Sequence, residues 1–403
     1  MNLLKRGSTR MLIFTGILIL VFGVVRQLTG ANDITAGGAS SATLRLTIPL
    51  LLAGLGGLWS ERAGVINIGL EGMMIAGTWL GAWYGFKYGW AVGFLAAAIG
   101  GAVIGFAHAF LTVKVGIDQA VSGLAINLLA AGSARYLAGV FFVPAGGDNN
   151  VSPPVQQPPN LHLAFGDTLT AWHGKHILFI SDVAGLFGGL ISNVNVMTLV
   201  LLLALPITSF ILWKTRFGLR MRFCGENPVA AESLGVNVYR TRYISLAVSG
   251  LLAALGGAYL SLVASSVYRE GQTAGRGFIG LATVIFGNWR PGGVFAGSLL
   301  FGFTDALRLR QANSVHAILL VGVIFSALLA LWFARKKQIK NLINVAITGA
   351  SVYIIYALIK VIPDEFVTVF PNLATLLVLT FLSQRLRPPA MAGAPYRKGE
   401  EAH

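Results

Sequence analysis

Residues 90–113, WAVGFLAAAIGGAVIGFAHAFLTV, are apolar almost throughout and contain no lysine, arginine, aspartate or glutamate. A helix of about 20 apolar residues crosses the hydrocarbon core of a bilayer, which is about 30 Å thick. A segment of this length that met water along its sides would promote aggregation. The stretch therefore predicts a membrane-spanning helix.

The composition of the whole chain extends this prediction beyond one segment. The protein has 403 residues, of which 55% are hydrophobic and 11% are charged, and its mean hydropathy is +0.72. A soluble domain carries about 25% charged residues. Lipid must therefore be the solvent for most of the chain. The 50 glycines agree with this, because glycine lets membrane helices approach closely.

Similar apolar runs recur along the sequence, and we predict an all-α, polytopic membrane bundle of about 10–12 transmembrane helices. The run 277–288 is too short to cross comfortably, so we expect a re-entrant or broken helix there. The predicted spans are 11–28, 44–59, 64–85, 90–113, 120–143, 195–213, 243–263, 277–288, 293–309, 315–334, 341–362 and 366–383.

The basic residues indicate the orientation of this bundle. The net charge is +15, and on a soluble protein such an excess would suggest binding to nucleic acid. Here lysine and arginine lie mostly in short loops on the side of the N-terminus, which places both termini in the cytoplasm. We expect contact with membrane lipid and none with nucleic acid. The first span could instead be a signal peptide, but we expect it to be retained.

The predicted outer loop, 144–193, is longer than a simple connection. It is rich in proline, contains His162, His173 and His176, and has the composition of irregular surface. Histidine can bind metal, but no acidic or cysteine partners accompany these residues at regular spacing, so we expect no metal site. The single cysteine, Cys224, excludes a disulfide within the chain.

The predicted inner loop, 214–242, is strongly basic and contains the signals of a short helix. Asn227-Pro228 can begin a helix, because proline suits the first helical turn, and Gly235 can end it. We predict a short cytoplasmic helix that lies along the membrane and meets a partner protein. A basic anchor for anionic lipid is the alternative, but it does not account for the small residues Ala230 and Ala231.

Three polar residues inside predicted spans are candidates for a solute path. Asn67 and Glu71 are four residues apart and should share a helix face, and Asn127 lies in another span. Polar side chains inside a membrane are costly and often functional. The alternative for Glu71 is a buried carboxyl group that is hydrogen-bonded to a neighbouring helix, and both interpretations stay open.

Two repeated patterns concern packing. The heptapeptide LLAGLGG at 51–57 is echoed by LLAALGG at 251–257, and in the predicted topology the two copies run in opposite directions. An inverted repeat would explain the echo, and so would chance recurrence of small and apolar residues. A small-xxx-small pattern, which predicts close helix contacts, is formed by Gly77, Gly81, Gly85, Gly89 and Gly93.

Three motifs carry a resemblance to a protein family: ERAGVINIGLEGMM (61–74), GENPVAAESLGVNV (225–238) and GFIGLATVIFGNWRPGG (277–293). They resemble the permease subunits of bacterial ABC importers. The closest group is the nucleoside and simple-sugar permeases, related to the ribose and branched-chain amino acid permeases. The motifs occur in the family's order, and the resemblance spans residues 44–336.

The resemblance implies partners and a location that composition does not. It implies the bacterial plasma (inner) membrane, a second permease subunit, identical or different, and an extracytoplasmic solute-binding lipoprotein. ATP and Mg²⁺ would bind a separate cytoplasmic ATPase, and this chain would bind no cofactor and catalyse no reaction. Consistently, the sequence has no G-x-x-x-x-G-K-[ST] loop. The ATPase would dock on a coupling helix formed by Gly225, Glu226, Asn227, Pro228, Ala230, Ala231 and Gly235.

On this basis the chain divides into three predicted parts. These are an N-terminal helix and outer loop (1–43), a permease transmembrane domain (44–336), and an accessory C-terminal helix pair with a cytoplasmic tail (337–403). The expected function is import of a nucleoside or a related simple sugar. The alternative is a secondary transporter of a small polar solute, which would need coupled carboxylates or an ion site beyond Glu71.

Overall fold

The computed structural model describes residues 2–175, 177, 179–307, 312–359 and 386–397. Most of these residues are helical, and β1 (Asn160–His162) pairs with β2 (Asn193–Asn195). π-Helical turns extend α4 through Phe110–Val115 and α12 through Leu260–Ala264. In chain order the helices are α1 (Asn2–Thr29), α2 (Gly37–Arg62), α3 (Leu70–Tyr88), α4 (Trp90–Ala109), α5 (Gln119–Phe141), α6 (Ala164–His173), α7 (Ile180–Ile191), α8 (Val196–Leu202), α9 (Ala204–Lys214), α10 (Arg216–Glu226), α11 (Pro228–Ser233), α12 (Val238–Tyr259), α13 (Arg276–Phe286), α14 (Pro291–Leu307), α15 (Ala312–Arg335) and α16 (Ile339–Leu358).

Within these described ranges, seven helical stretches are long and apolar enough to cross a membrane. The protein is thus a polytopic helical membrane protein. The predicted short segment is the 11-residue helix α13, whereas the predicted span 366–383 lies outside the described residues. The seven stretches are Gly37–Arg62, Trp90–Val115, Gln119–Phe141, Val196–Lys214, Val238–Ala264, His316–Arg335 and Ile339–Leu358.

The predicted span 64–85 begins at the wrong residue. The backbone leaves α2 after Arg62 and turns at Gly64, whose φ is +90°, and α3 starts only at Leu70. Asn67 lies in this non-helical link, so the prediction that Asn67 and Glu71 share a helix face is wrong. Hydrophobic periodicity could not reveal the break, because the link is nearly as apolar as the helices on either side.

The chain forms two compact units, of which the first comprises residues 1–44, 161–194 and 303–373. Arg26 on α1 and Asp182 on α7 form an ion pair of 3.0 Å, and both side chains are almost fully buried. A buried charge is tolerated when it is paired in this way. The apolar core of the unit includes Val21, Val25, Ala31, Ile34, Ala317 and Val321.

The 144–193 loop is more ordered than predicted. Most of its prolines fall within 153–159, where the chain is not helical, whereas the proline-free residues 164–191 form α6 and α7. Asp182 also caps α7, since its carboxylate accepts a 3.1 Å hydrogen bond from Phe179 N. The expectation of irregular structure throughout the loop is therefore wrong, because the proline-rich part does not represent the rest.

The second unit comprises residues 45–160, 195–302 and 374–403, and α3, α4 and α12 pack closely within it. A Cβ atom on Gly77 would lie 2.1 Å from Ala254 O, and one on Gly93 would lie 2.6 Å from Gly81 O. The predicted role of the glycine spacing in helix packing is thereby confirmed for these positions. Gly89 differs, since it lies between α3 and α4 with a φ of +90° and turns the chain.

The echoed stretches, on α2 and α12, cross each other reciprocally. A Cβ atom on Gly56 would lie 2.7 Å from the carbonyl oxygen of Ser249, and one on Gly256 would lie 3.0 Å from that of Pro49. Gly56 and Gly256 occupy equivalent positions in the two helices, and so do Pro49 and Ser249. Each helix therefore makes the same contact with the other. The contacts follow opposite orders along the two helices, which supports the inverted repeat.

Candidate functional site

The carboxylate of Glu71, near the start of α3, binds the start of α13. Its Oε1 accepts hydrogen bonds from Thr273 Oγ1 (2.6 Å) and Gly275 N (3.0 Å), and its Oε2 accepts one from Gly277 N (2.6 Å). The first amides of a helix have no partner within it, so a carboxylate satisfies them and meets the positive end of the helix dipole. A Cβ atom on Gly277 would lie 2.5 Å from Glu71 Cα, so only glycine allows this approach.

Asn127 on α5 fixes the chain where α3 begins. Its Oδ1 accepts a hydrogen bond from Gly72 N (2.7 Å), and its Nδ2 donates one to Ile68 O (3.0 Å). The structure therefore uses both polar atoms of this side chain to join α5 to the start of α3.

Asn67 is fully buried in the link before α3. Its Nδ2 donates to Ser249 Oγ at 2.9 Å, while its Oδ1 has no hydrogen-bond partner among the described residues. The structure thus brings Asn67, Glu71 and Asn127 together around residues 67–72. Their polar groups bind mostly to the chain itself, and their contact with a solute stays a prediction.

The far end of α13 is held by Glu61, Arg62 and Trp289, which we call the Arg62 cluster. Arg62 donates from Nε and Nη2 to the carbonyl oxygen of Trp289 at 3.0 and 2.6 Å, and Trp289 Nε1 donates to the Glu61 carboxylate. Asn288 and Trp289 have φ angles of +49° and +53°, which side chains rarely adopt. The Arg62 cluster therefore stabilises a strained turn between α13 and α14.

The short helix predicted in the 214–242 loop is α11, so the helix itself is confirmed, whereas its cytoplasmic location along the membrane and its partner stay predictions. The Oδ1 of Asn227 caps it by accepting a hydrogen bond from Ala230 N at 2.9 Å. Pro228 occupies the first turn, and Gly235 follows the helix with a φ of +79°. These are the roles that the three residue types favour at helix ends.

The predicted docking residues of this element differ in exposure. Leu234, which directly follows α11, is a large apolar side chain that is 75% exposed, and it was not among the predicted residues. Gly225, Pro228 and Ala231 are buried, Ala230 is half-buried, and Glu226, Asn227 and Gly235 are exposed.

The residues before α11 contact the Arg62 cluster directly. A Cβ atom on Gly225 would lie 2.4 Å from Arg62 O, and the Glu226 carboxylate lies 3.9 Å from the Arg62 guanidinium. Arg62 was not predicted as a functional residue, although Glu61 and Arg62 begin the first motif. Two adjacent charges at the end of an apolar span were the signal that could have identified them.

The histidines of the 144–193 loop do not form a metal site in the described part of the chain. His162 lies 3.7 Å from Asp167, and both side chains are largely exposed. No group of three or more histidine, cysteine, aspartate or glutamate side chains that could hold a metal ion occurs among the described residues. His176 lies outside them.

Comparison with known proteins identifies the class to which these helices belong. Residues 39–329 match the family described as the branched-chain amino acid transport system / permease component. The chain belongs to this family of ABC transporter permeases, which are translocation components and not enzymes.

Individual relatives are similar over most of their length. The guanosine ABC transporter permease protein NupQ of Bacillus subtilis is 34% identical over 89% of this chain and 96% of its own. The putative glucose ABC transporter permease protein TsgC13 of Haloferax volcanii is 34% identical over 69% of this chain and 79% of its own. The nucleoside ABC transporter permease protein NupC of Lactococcus lactis is 32% identical over 64% of this chain and 78% of its own. No solved structure matches the chain.

Proposed function

We propose that this protein is the membrane subunit of an ATP-driven importer of a nucleoside or a related simple sugar. The observation that carries the proposal is the similarity to the guanosine permease protein NupQ, which extends over 89% of this chain. Nucleosides and sugars are small, polar and without a fixed charge. A path for them needs hydrogen-bonding groups, which the described spans contain, and no row of charges of one sign.

The proposal includes the orientation and the partners that the family resemblance implies. Both termini face the cytoplasm of a bacterial cell, because the basic loops lie mainly on their side of the membrane. A cytoplasmic ABC ATPase binds ATP and Mg²⁺ and docks on α11. A second permease subunit completes the path, and an extracytoplasmic binding lipoprotein delivers the solute.

Force from the ATPase reaches the spans through direct contacts. Movement of α11 displaces Gly225 and Glu226, which lie against Arg62 at the end of α2. Arg62 is bonded to Trp289, which follows α13. Glu71 anchors the opposite end of α13, so displacement of the turn at Trp289 would tilt this short helix about its anchor.

The solute path would pass the region where Asn67, Glu71 and Asn127 meet. Glu71 and Asn127 act there mainly by positioning α13 and the start of α3, because their polar atoms are bonded within the chain. Asn67 has an Oδ1 atom with no described partner, and it is the one of the three that could accept a hydrogen bond from a solute. A nucleoside hydroxyl would thus meet a hydrogen-bond acceptor that is a neutral amide oxygen and not a free ionised group.

The proposal is tested by recovering the ATPase with the affinity-tagged permease in mild detergent, together with guanosine uptake in proteoliposomes that contain all subunits. Leu234→Glu places a charge on the exposed residue that directly follows α11 and should abolish both. Leu161→Glu changes a leucine that is 43% exposed in the 144–193 loop, and it should leave both intact.

Two results would contradict the proposal. Full recovery of the ATPase with Leu234→Glu would show that α11 is not the docking element. Guanosine uptake by the permease without any ATPase would favour the secondary transporter.

A further inference from the structure

Residues 386–397, LRPPAMAGAPYR, lie beyond the region that matches the family, which ends at residue 329. We call this segment the C-terminal strap. It has no regular helix or strand, yet Pro389 and Tyr396 are buried. A segment without helix or strand is usually poorly ordered unless it is tied down by other contacts. The contacts that bury the strap therefore indicate what it holds.

Four main-chain amides of the strap donate hydrogen bonds to three segments of the second unit. These segments are the residues before α11, the link after α2, and the turn after α13. The bonds run from Met391 N to Gly225 O (2.9 Å), from Ala390 N to Glu226 Oε2 (3.2 Å), from Gly393 N to Gly64 O (3.2 Å) and from Arg387 N to Asn288 Oδ1 (2.8 Å).

Tyr396 anchors the strap on α11 itself. Its ring is only 8% exposed and belongs to a cluster with Cys224, Ala231 and Val238. Its hydroxyl donates a hydrogen bond to the carboxylate of Glu232 on α11. A buried aromatic ring with a satisfied hydroxyl contributes both apolar area and a directional bond. Tyr396 therefore fixes the position of α11 relative to the strap.

The position of α11 depends on such contacts because the helix is short. It has six residues, and a helix of this length is unstable without tertiary packing. Only Pro228 and Ala231 of its residues are buried, and Ala231 packs in the cluster that contains Tyr396. The strap contacts Gly225 and Glu226 of the predicted docking residues, but it leaves Leu234 exposed.

We propose that the C-terminal strap is a positioning element of the coupling machinery, and that Tyr396 is its positioning residue. The strap binds α11 to the link after α2 and to the turn after α13, so these parts move together. This inference rests on the proposed docking of an ATPase on α11. Without the strap the ATPase binds and hydrolyses ATP, but movement of α11 reaches the turn after α13 only through the Arg62 cluster and displaces it less.

The first test uses Cys224, the only cysteine of the chain, as a reporter of the strap. Its thiol is fully buried, and burial raises the pKa of Cys224, so a maleimide should react with it slowly. In Tyr396→Ala the reagent should label Cys224 about tenfold faster than in the unaltered protein. Tyr396→Phe keeps the ring and loses only the bond to Glu232, and it should label slowly.

A second variant displaces the strap without changing Tyr396. A Cβ atom on Gly393, whose φ is +85°, would lie 3.0 Å from the side chain of Ile66. Gly393→Val should therefore also accelerate labelling of Cys224. Unchanged labelling in both Tyr396→Ala and Gly393→Val would overturn the proposal.

The second test is the amount of guanosine imported per ATP hydrolysed, in proteoliposomes with the ATPase and the binding protein. Tyr396→Ala should retain the ATPase but import about half as much guanosine per ATP, or less, and Tyr396→Phe should restore the ratio. A purely structural role would lower uptake and hydrolysis together and leave the ratio unchanged, which would overturn the proposal. A different result would contradict the proposed function, namely that no ATPase is recovered with the unaltered protein.

Discussion

The carboxylate of Glu71 accepts a hydrogen bond of 2.6 Å from the main-chain nitrogen of Gly277, across 206 positions of sequence. The contact joins the start of α3 to the start of α13. Thr273 and Gly275 donate to the same carboxylate, so the acidic residue predicted for the solute path serves as the anchor of a short helix. Its charge is balanced by amides and a helix dipole instead of by a basic side chain.

Replacement of Glu71 should therefore affect stability before it affects solute binding. Glu71→Ala should lower the free energy of unfolding by about 3 kcal/mol, since hydrogen bonds to charged groups contribute about 1.5–3 kcal/mol each and the abandoned amides lose their partners. Glu71→Gln keeps one acceptor oxygen and should lose about half as much. Denaturation in detergent measures both. Normal stability in Glu71→Gln with loss of all pH-dependent uptake would instead identify an ion-coupling carboxylate.

Asn127→Asp should separate positioning from solute contact. The aspartate can still accept from Gly72 N, but it cannot donate to Ile68 O and places a negative oxygen beside that carbonyl. We expect the free energy of unfolding to fall by about 2 kcal/mol, with little change in the KM for guanosine of the folded fraction. A raised KM at unchanged stability would show that Asn127 contacts the solute.

Gly77→Ala should disturb the contact between α3 and α12. The added Cβ atom would lie 2.1 Å from Ala254 O, and backbone cannot rotate aside as a flexible side chain can. The expected cost is about 1–3 kcal/mol. The matched control is Gly132→Ala on α5, where no atom lies within 4 Å and alanine favours the helix. Equal melting temperatures for the two variants would contradict the packing role.

Arg62→Lys should impair uptake while the ATPase stays bound. The guanidinium donates through two nitrogens to Trp289 O and also lies near Glu226, a geometry that a single ammonium group cannot reproduce. Loss of one such bond should lower guanosine uptake about tenfold. Uptake at the level of the unaltered protein would show that the Arg62 cluster does not transmit force.

The free energy of unfolding should fall in alkali because of Tyr268. The residue is 2% exposed, and burial, aided by the nearby charge of Glu270, raises the pKa of Tyr268 to about 12. The unfolded chain ionises this group near pH 10, so its stabilising contribution is complete below pH 10 and is lost as the pH rises to 12. Over that range the protein should lose about 2 kcal/mol relative to Tyr268→Phe. If the difference in unfolding free energy between the unaltered protein and Tyr268→Phe stayed constant from pH 10 to pH 12, the raised pKa of Tyr268 would be contradicted.

The helices could be predicted from the sequence because run length and local signals define them. The apolar run 90–113 is long enough to span a membrane wherever it lies, and Asn227-Pro228 with Gly235 supplies the ends of α11 without help from distant residues. The short helix α13 could likewise be predicted from its length. In each case the deciding physics lies within a few turns of one helix.

The contacts of the site could not be predicted in the same way, because they join residues far apart in the chain. Arg62 bonds Trp289 across 227 positions, and Tyr396 bonds Glu232 across 164. The break after Arg62 depends on Gly64, and a glycine within an apolar run does not by itself indicate a turn. Residues that position others thus carry weaker local signals than the helices that they position.

The crossing of Gly56 with Ser249 and of Gly256 with Pro49 has a consequence for transport. Because the interface is self-complementary, its two halves can interchange conformations while the crossing itself is preserved. If the two halves differ in shape at a given moment, the interchange would give each half the shape that the other had before. The two copies of the heptapeptide would then keep their positions while the segments around the crossing move.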